Sequence, residues 1–140
     1  MKKRTKTIGT VAVLIILAAL ILVLVNKPNN EIITISSDGA FTNEECQSRG
    51  LTDKVIMLES KYCGYCQETK PIFLKACESK AITPEILDLS EPENFAQLED
   101  YKINILYTPT FLIGCNYYVS AKTEEQYLSY LDEFLTSQDE

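Results

Sequence analysis

The chain has 140 residues, 46% of them hydrophobic, with five cysteines, no histidine and no tryptophan. That length suits one domain and an added anchor segment. The formal net charge of −7 argues against nucleic acid or an anionic lipid surface as partner, because both select for basic faces.

Residues 1–7 carry Lys2, Lys3, Arg4 and Lys6 and no acid. Ile8 to Val25 is an uncharged, strongly apolar run of 18 residues, long enough at about 1.5 Å per residue to cross a hydrocarbon core. Asn26-Lys27-Pro28-Asn29-Asn30 is a polar breaker that ends it. A cleaved signal peptide has a shorter apolar stretch and a small-x-small cleavage site, and Leu24-Val25-Asn26 offers none. The run therefore reads as a signal anchor, a single pass through the cell membrane. The basic end stays cytoplasmic, so the rest of the chain faces outward. Without the four N-terminal cations, that outer part keeps nine basic against 20 acidic residues, an acidic, solvated surface.

Glu31 to Ser37 alternates like a short strand, and Asp38-Gly39 marks a turn. Thr42-Asn43-Glu44-Glu45 has the form of a capping box and opens a helix that should end at Gly50. Val55 to Glu59 is an apolar run of strand length. Cys63 to about Lys80 predicts a helix, with Cys66, Phe73 and Cys77 on one stripe. Glu85 to Leu89 predicts the next strand. Ser90-Glu91-Pro92-Glu93 has the form of a second capping box, with Phe95, Leu98 and Tyr101 on the face that follows. Thr110–Ile113 and Tyr117–Val119 flank Gly114-Cys115-Asn116 as a hairpin. Thr123-Glu124-Glu125-Gln126 caps a last helix whose apolar face is Tyr127, Leu128, Leu131 and Leu135. This order predicts an α/β fold, a central mixed four-stranded sheet flanked by helices, over residues 41–140. Residues 26–40 form a linker with a possible short strand before it.

Ser60-Lys61-Tyr62-Cys63-Gly64-Tyr65-Cys66 falls where a strand ends and a helix begins. The first turn of a helix offers unpaired N–H groups and the positive end of the dipole, and thiols there have pKa values lowered to roughly 3.5–7.5. Cys63 is the expected attacking thiolate, and Cys66, one turn in, the resolving thiol. The competing readings are an inert disulfide and a zinc half-site. Zinc needs four ligands, whereas Cys46, Cys77 and Cys115 are scattered singly, so no metal site is expected.

Leu58 to Pro71 (LESKYCGYCQETKP) resembles the active-site segment of the thioredoxin-like superfamily, including a proline five residues after the second cysteine, here Pro71. Thr108-Pro109-Thr110 matches the family's second signature, a cis-proline loop facing the redox disulfide. The resemblance covers about Lys54 to Leu135. It implies a thioredoxin-like fold, a redox-active Cys63–Cys66 disulfide with no other cofactor, and a substrate-binding role for Thr108 and Pro109. Gly64 and Tyr65, with threonine before the proline, are similar to the catalytic domains of periplasmic disulfide isomerases. Lys27 to Leu51 is too short for the separate dimerisation domain those carry. Glutaredoxins also resemble the segment, but Val119-Ser120-Ala121-Lys122 lacks their glycine pair. The family's buried acid, six residues before the first cysteine, is Met57 here. Glu59 shares that strand parity and is a candidate proton relay to Cys66; the more ordinary reading is an exposed strand-end glutamate.

Five cysteines suit an oxidising compartment, and the odd number leaves one thiol free or shared between chains. In the deduced topology Cys46, Cys77 and Cys115 all lie at the end of the sheet away from Cys63, Cys77 about 16 Å further along its helix than Cys66. A structural disulfide Cys46–Cys115 is expected, with Cys77 a buried thiol; pairing of Cys77 with either is the alternative. The expected function is thiol–disulfide exchange with exported protein substrates, recycled by a membrane partner, either a quinone-linked oxidase or a transmembrane electron donor. The alternative is a non-catalytic thioredoxin-fold module that binds a partner or delivers a metal such as copper.

Overall fold

The computed structural model describes residues 13, 15–18 and 31–139. Val13 and residues 15–18 are helical; the remainder of the expected anchor, 8–25, lies outside the described residues. Among the described residues no helix is long and apolar enough to cross a membrane.

The folded part runs β1 (Ile33–Ile35), β2 (Gly39–Ala40), α1 (Asn43–Arg49), β3 (Val55–Glu59), α2 (Gly64–Ser79), β4 (Glu85–Asp88), α3 (Pro92–Asp100), β5 (Ile103–Ile105), β6 (Thr110–Ile113), β7 (Asn116–Val119) and α4 (Glu124–Gln138). A mixed sheet has the order β2-β7-β6-β3-β4. Strand β3 is parallel to β4 and antiparallel to β6, and β6 and β7 form the hairpin. The four strands expected from the sequence are its core. Gly39–Ala40 adds a fifth at the edge, and β1 pairs in parallel with β5 as a separate two-stranded sheet. β1 falls inside the alternating run Glu31–Ser37, whereas β2 and β5 escape a pattern reading because two or three residues show no periodicity. The architecture, α/β with a mixed sheet between helices, is consistent with the thioredoxin-like fold.

β3 is buried along its whole length, as a central strand covered on both faces must be. Its side chains alternate between two cores. Ile56 and Leu58 join Cys46 of α1 and Leu98 of α3 on one face. Val55 and Met57 join Cys66, Phe73 and Cys77 of α2 and Tyr127, Leu131 and Phe134 of α4 on the other. In α4 Phe134 takes the buried place expected of Leu135, which is exposed.

Both threonine capping boxes form, at Thr42 with Glu45 and at Thr123 with Gln126, and Gly50 ends α1 in the left-handed conformation. The box expected at Ser90 does not form. Helix α3 starts after Glu91 without a side-chain cap, because the Ser90 hydroxyl and amide both donate to Asp88.

Candidate functional site

Strand β3 delivers the chain to Ser60–Tyr62, and Cys63 becomes the N-cap of α2. The backbone N–H of Cys66 points at the Cys63 sulfur, 3.1 Å away, the contact by which a helix terminus stabilises negative charge on sulfur. Cys63 and Cys66 are joined as a disulfide with Cα atoms 5.2 Å apart. Cys66 is 1% exposed, whereas Cys63 is half-buried, so one sulfur can meet a partner and the other is sheltered.

Facing the pair is the loop between β5 and β6, whose Thr108–Pro109 peptide bond is cis. The Thr108 carbonyl oxygen lies 3.4 Å from the Cys63 sulfur. The loop is held from behind: the buried Thr110 hydroxyl donates to the Tyr107 carbonyl and the Ser120 N–H to the Pro109 carbonyl. Tyr65, Thr108, Pro109, Ser120 and Ala121 line a groove of about 240 Å³ beside the disulfide. Tyr62, Tyr65, Leu106 and Tyr107 stand exposed around it. A Cβ built on Gly64 would meet nothing within 4 Å, so this glycine keeps open space next to the sulfurs. Pro71 lies inside α2, two turns from Cys63.

Glu59 is buried at 9% exposure, unlike the exposed strand-end glutamate of the ordinary reading. It shares the parity of Val55 and Met57 and so faces α2, where the Lys70 ammonium pairs with its carboxylate at 2.5 Å. Lys70 is four residues after Cys66, one turn along the same helix face. The ion pair thus joins the end of β3 to the turn of α2 that follows Cys66.

The sequence reading missed the residues that hold the approach to Cys63. Asp88 Oδ1 accepts the Lys61 N–H at 3.2 Å together with both Ser90 donors. Ser90, then Lys61, hold the Asp88 carboxyl below its ordinary value. The Gln67 side-chain amide donates to the Lys61 carbonyl at 3.1 Å, and the Lys61 ammonium pairs with Glu91 at 2.9 Å, which raises its pKa. No local motif marks these contacts, since Asp88 and Lys61 meet only through the pairing of β3 with β4.

Away from the site, Cys46 and Cys115 form a second disulfide, with Cα atoms 5.3 Å apart and χ3 of −89°, ordinary geometry for such a bridge. It ties α1 to the turn of the β6–β7 hairpin. Cys77 is a free, buried thiol in the core on the opposite face of the sheet.

No protein-family model matches the chain, and no curated protein matches it. Among solved structures, a thioredoxin from Malassezia sympodialis is similar, at 21% sequence identity and a TM-score of 0.43, over 77% of this chain and 95% of that one. The functional reading therefore rests on the chain's own geometry: a disulfide at a helix N-terminus, opposite a cis-proline loop.

Proposed function

We propose that the protein is a membrane-anchored, extracytoplasmic thiol–disulfide oxidoreductase that exchanges disulfides with exported proteins through Cys63 and Cys66. The observation that carries the reading is the position of the Cys63 sulfur, capped by the Cys66 amide and only half-buried beside the Thr108–Pro109 loop. An inert disulfide has no need of a helix terminus aimed at its outer sulfur.

In the reducing direction the Cys63 thiolate attacks one sulfur of a substrate disulfide. A Cys63–substrate disulfide forms and the other substrate sulfur leaves as a thiolate. Cys66 then loses its proton, with Glu59 as acceptor, and its thiolate attacks the Cys63 sulfur. The Cys63–Cys66 disulfide closes, and the second substrate sulfur leaves as a thiolate. Two electrons pass to the substrate. In the oxidising direction the same steps reverse, the potentials of the partners deciding which runs. Thr108 and Pro109 present backbone to the substrate chain, and the groove beside Tyr65 takes the residue next to its cysteine. A membrane partner, a quinone-linked oxidase or a transmembrane electron donor, restores the starting state.

The test is insulin reduction by the purified chain with dithiothreitol present. Turnover should appear with the wild type and vanish with Cys63→Ser; turnover that survives the substitution would eliminate the catalytic assignment. In cells, Cys66→Ala should accumulate mixed disulfides through Cys63. Anchoring is tested separately: the chain should stay with membranes through alkaline extraction, and deletion of residues 1–25 should release it.

A further inference from the structure

Four backbone groups of the segment leading into Cys63 have protein partners. Lys61 N–H goes to Asp88, Lys61 C=O to the Gln67 side chain, Tyr62 N–H to the Ser60 hydroxyl, and Cys63 N–H to the Ser60 carbonyl. An exposed loop of three residues ordinarily leaves such groups to water. Asp88 is the outermost residue of β4, opposite Glu59 of β3, and reaches across the strand ends to hold a loop it does not belong to.

We infer that Asp88 and Gln67 are positioning residues that latch Ser60–Tyr62, and so keep the Cys63 sulfur on the N-terminal axis of α2. This rests on the reading of Cys63 as the nucleophile. A thiolate gains from the helix terminus only while it stays within the first turn, so a slack loop should cost Cys63 part of its acidity. The latch acts through an accepting oxygen, which asparagine also offers at the same atom. The other charged groups packed around it are Lys61, Glu91 on the segment leading into α3, and the Glu59–Lys70 pair between β3 and α2.

The test is the pH dependence of Cys63 alkylation by iodoacetamide in the reduced, full-length chain, with the labelled peptide read by mass spectrometry. Asp88→Ala should raise the midpoint by about half a pH unit, within what a helix terminus contributes. Asp88→Asn should leave it in place, although the charge has gone. Gln67→Ala, at an exposed position, should raise it in the same sense, and it decides the matter alone if Asp88→Ala fails to fold. Midpoints that do not move, or that fall equally with both Asp88 variants, would overturn the latch. The second pattern would make Asp88 a mere neighbouring charge. A wild-type midpoint above about pH 9 would instead remove the nucleophile on which the latch depends.

Discussion

Cys77 and Cys63 share a helix but not an environment. Cys77 is fully buried among Phe73, Phe111 and Tyr127, and burial pushes its thiol up to about 12. At pH 8 the reduced, folded chain should therefore alkylate at Cys63, with Cys77 labelled only after denaturation; fast native labelling of Cys77 would contradict this packing. Glu59 is the other residue whose surroundings set its role. Glu59→Gln removes the proton acceptor proposed for Cys66 and should slow closure of the Cys63–Cys66 disulfide from a mixed disulfide by about a hundredfold, the low end for a positioned base. Formation of the mixed disulfide should be unaffected, and rapid acid quenching separates the two steps. For Asp88 the sign of the pH effect is fixed by its lowered carboxyl. Its contribution to stability is present above the ordinary value of 3.8 and is lost as pH falls through the lower folded one.

At the scale of elements, the helix starts are local devices and behave as such. Thr42→Ala and Thr123→Ala each remove a capping box and should cost about 1 kcal/mol in urea unfolding. The hairpin turn is less forgiving. Gly114 has φ of +57°, and a Cβ there would stand 2.9 Å from Phe134 of α4. Gly114→Ala should destabilise by at least about 1–2 kcal/mol, the cost of a left-handed residue with a side chain, before the ring is displaced. These features were legible because each depends on a few consecutive residues. Ser90 departs from the capping pattern for a related reason: Asp88, two residues earlier, accepts from its hydroxyl and N–H, and Glu91 becomes the N-cap of α3. Strand β5 was missed because its pairing partner, β1, lies far away in the sequence.

For the molecule as a whole, the two disulfides occupy opposite ends of the sheet, since β6 leaves the Thr108–Pro109 loop and reaches the Cys115 turn only after Ile113. Replacing both Cys46 and Cys115 by alanine should lower stability by about 2–4 kcal/mol. It should leave the alkylation midpoint of Cys63 unchanged. A shifted midpoint would mean that the far end of the fold tunes the Cys63 thiol. The same packing explains the partner choice among the three remaining cysteines. Cys46 and Cys115 meet on the α1 face, while Cys77 points into the core under α4.

The sequence by itself determined the order of elements that frames the candidate site: an apolar strand run, then Cys63 at a helix start, then Thr108-Pro109 before a hairpin. Such signals are short-range, set by caps, breakers and side-chain periodicity. Only the tertiary structure decided that Glu59 is buried against Lys70, that Cys77 stands apart from the other bridge, and that Asp88 grips Lys61. Those outcomes depend on which sheet face a helix covers and which strand ends lie side by side, and no local run of residues encodes that geometry.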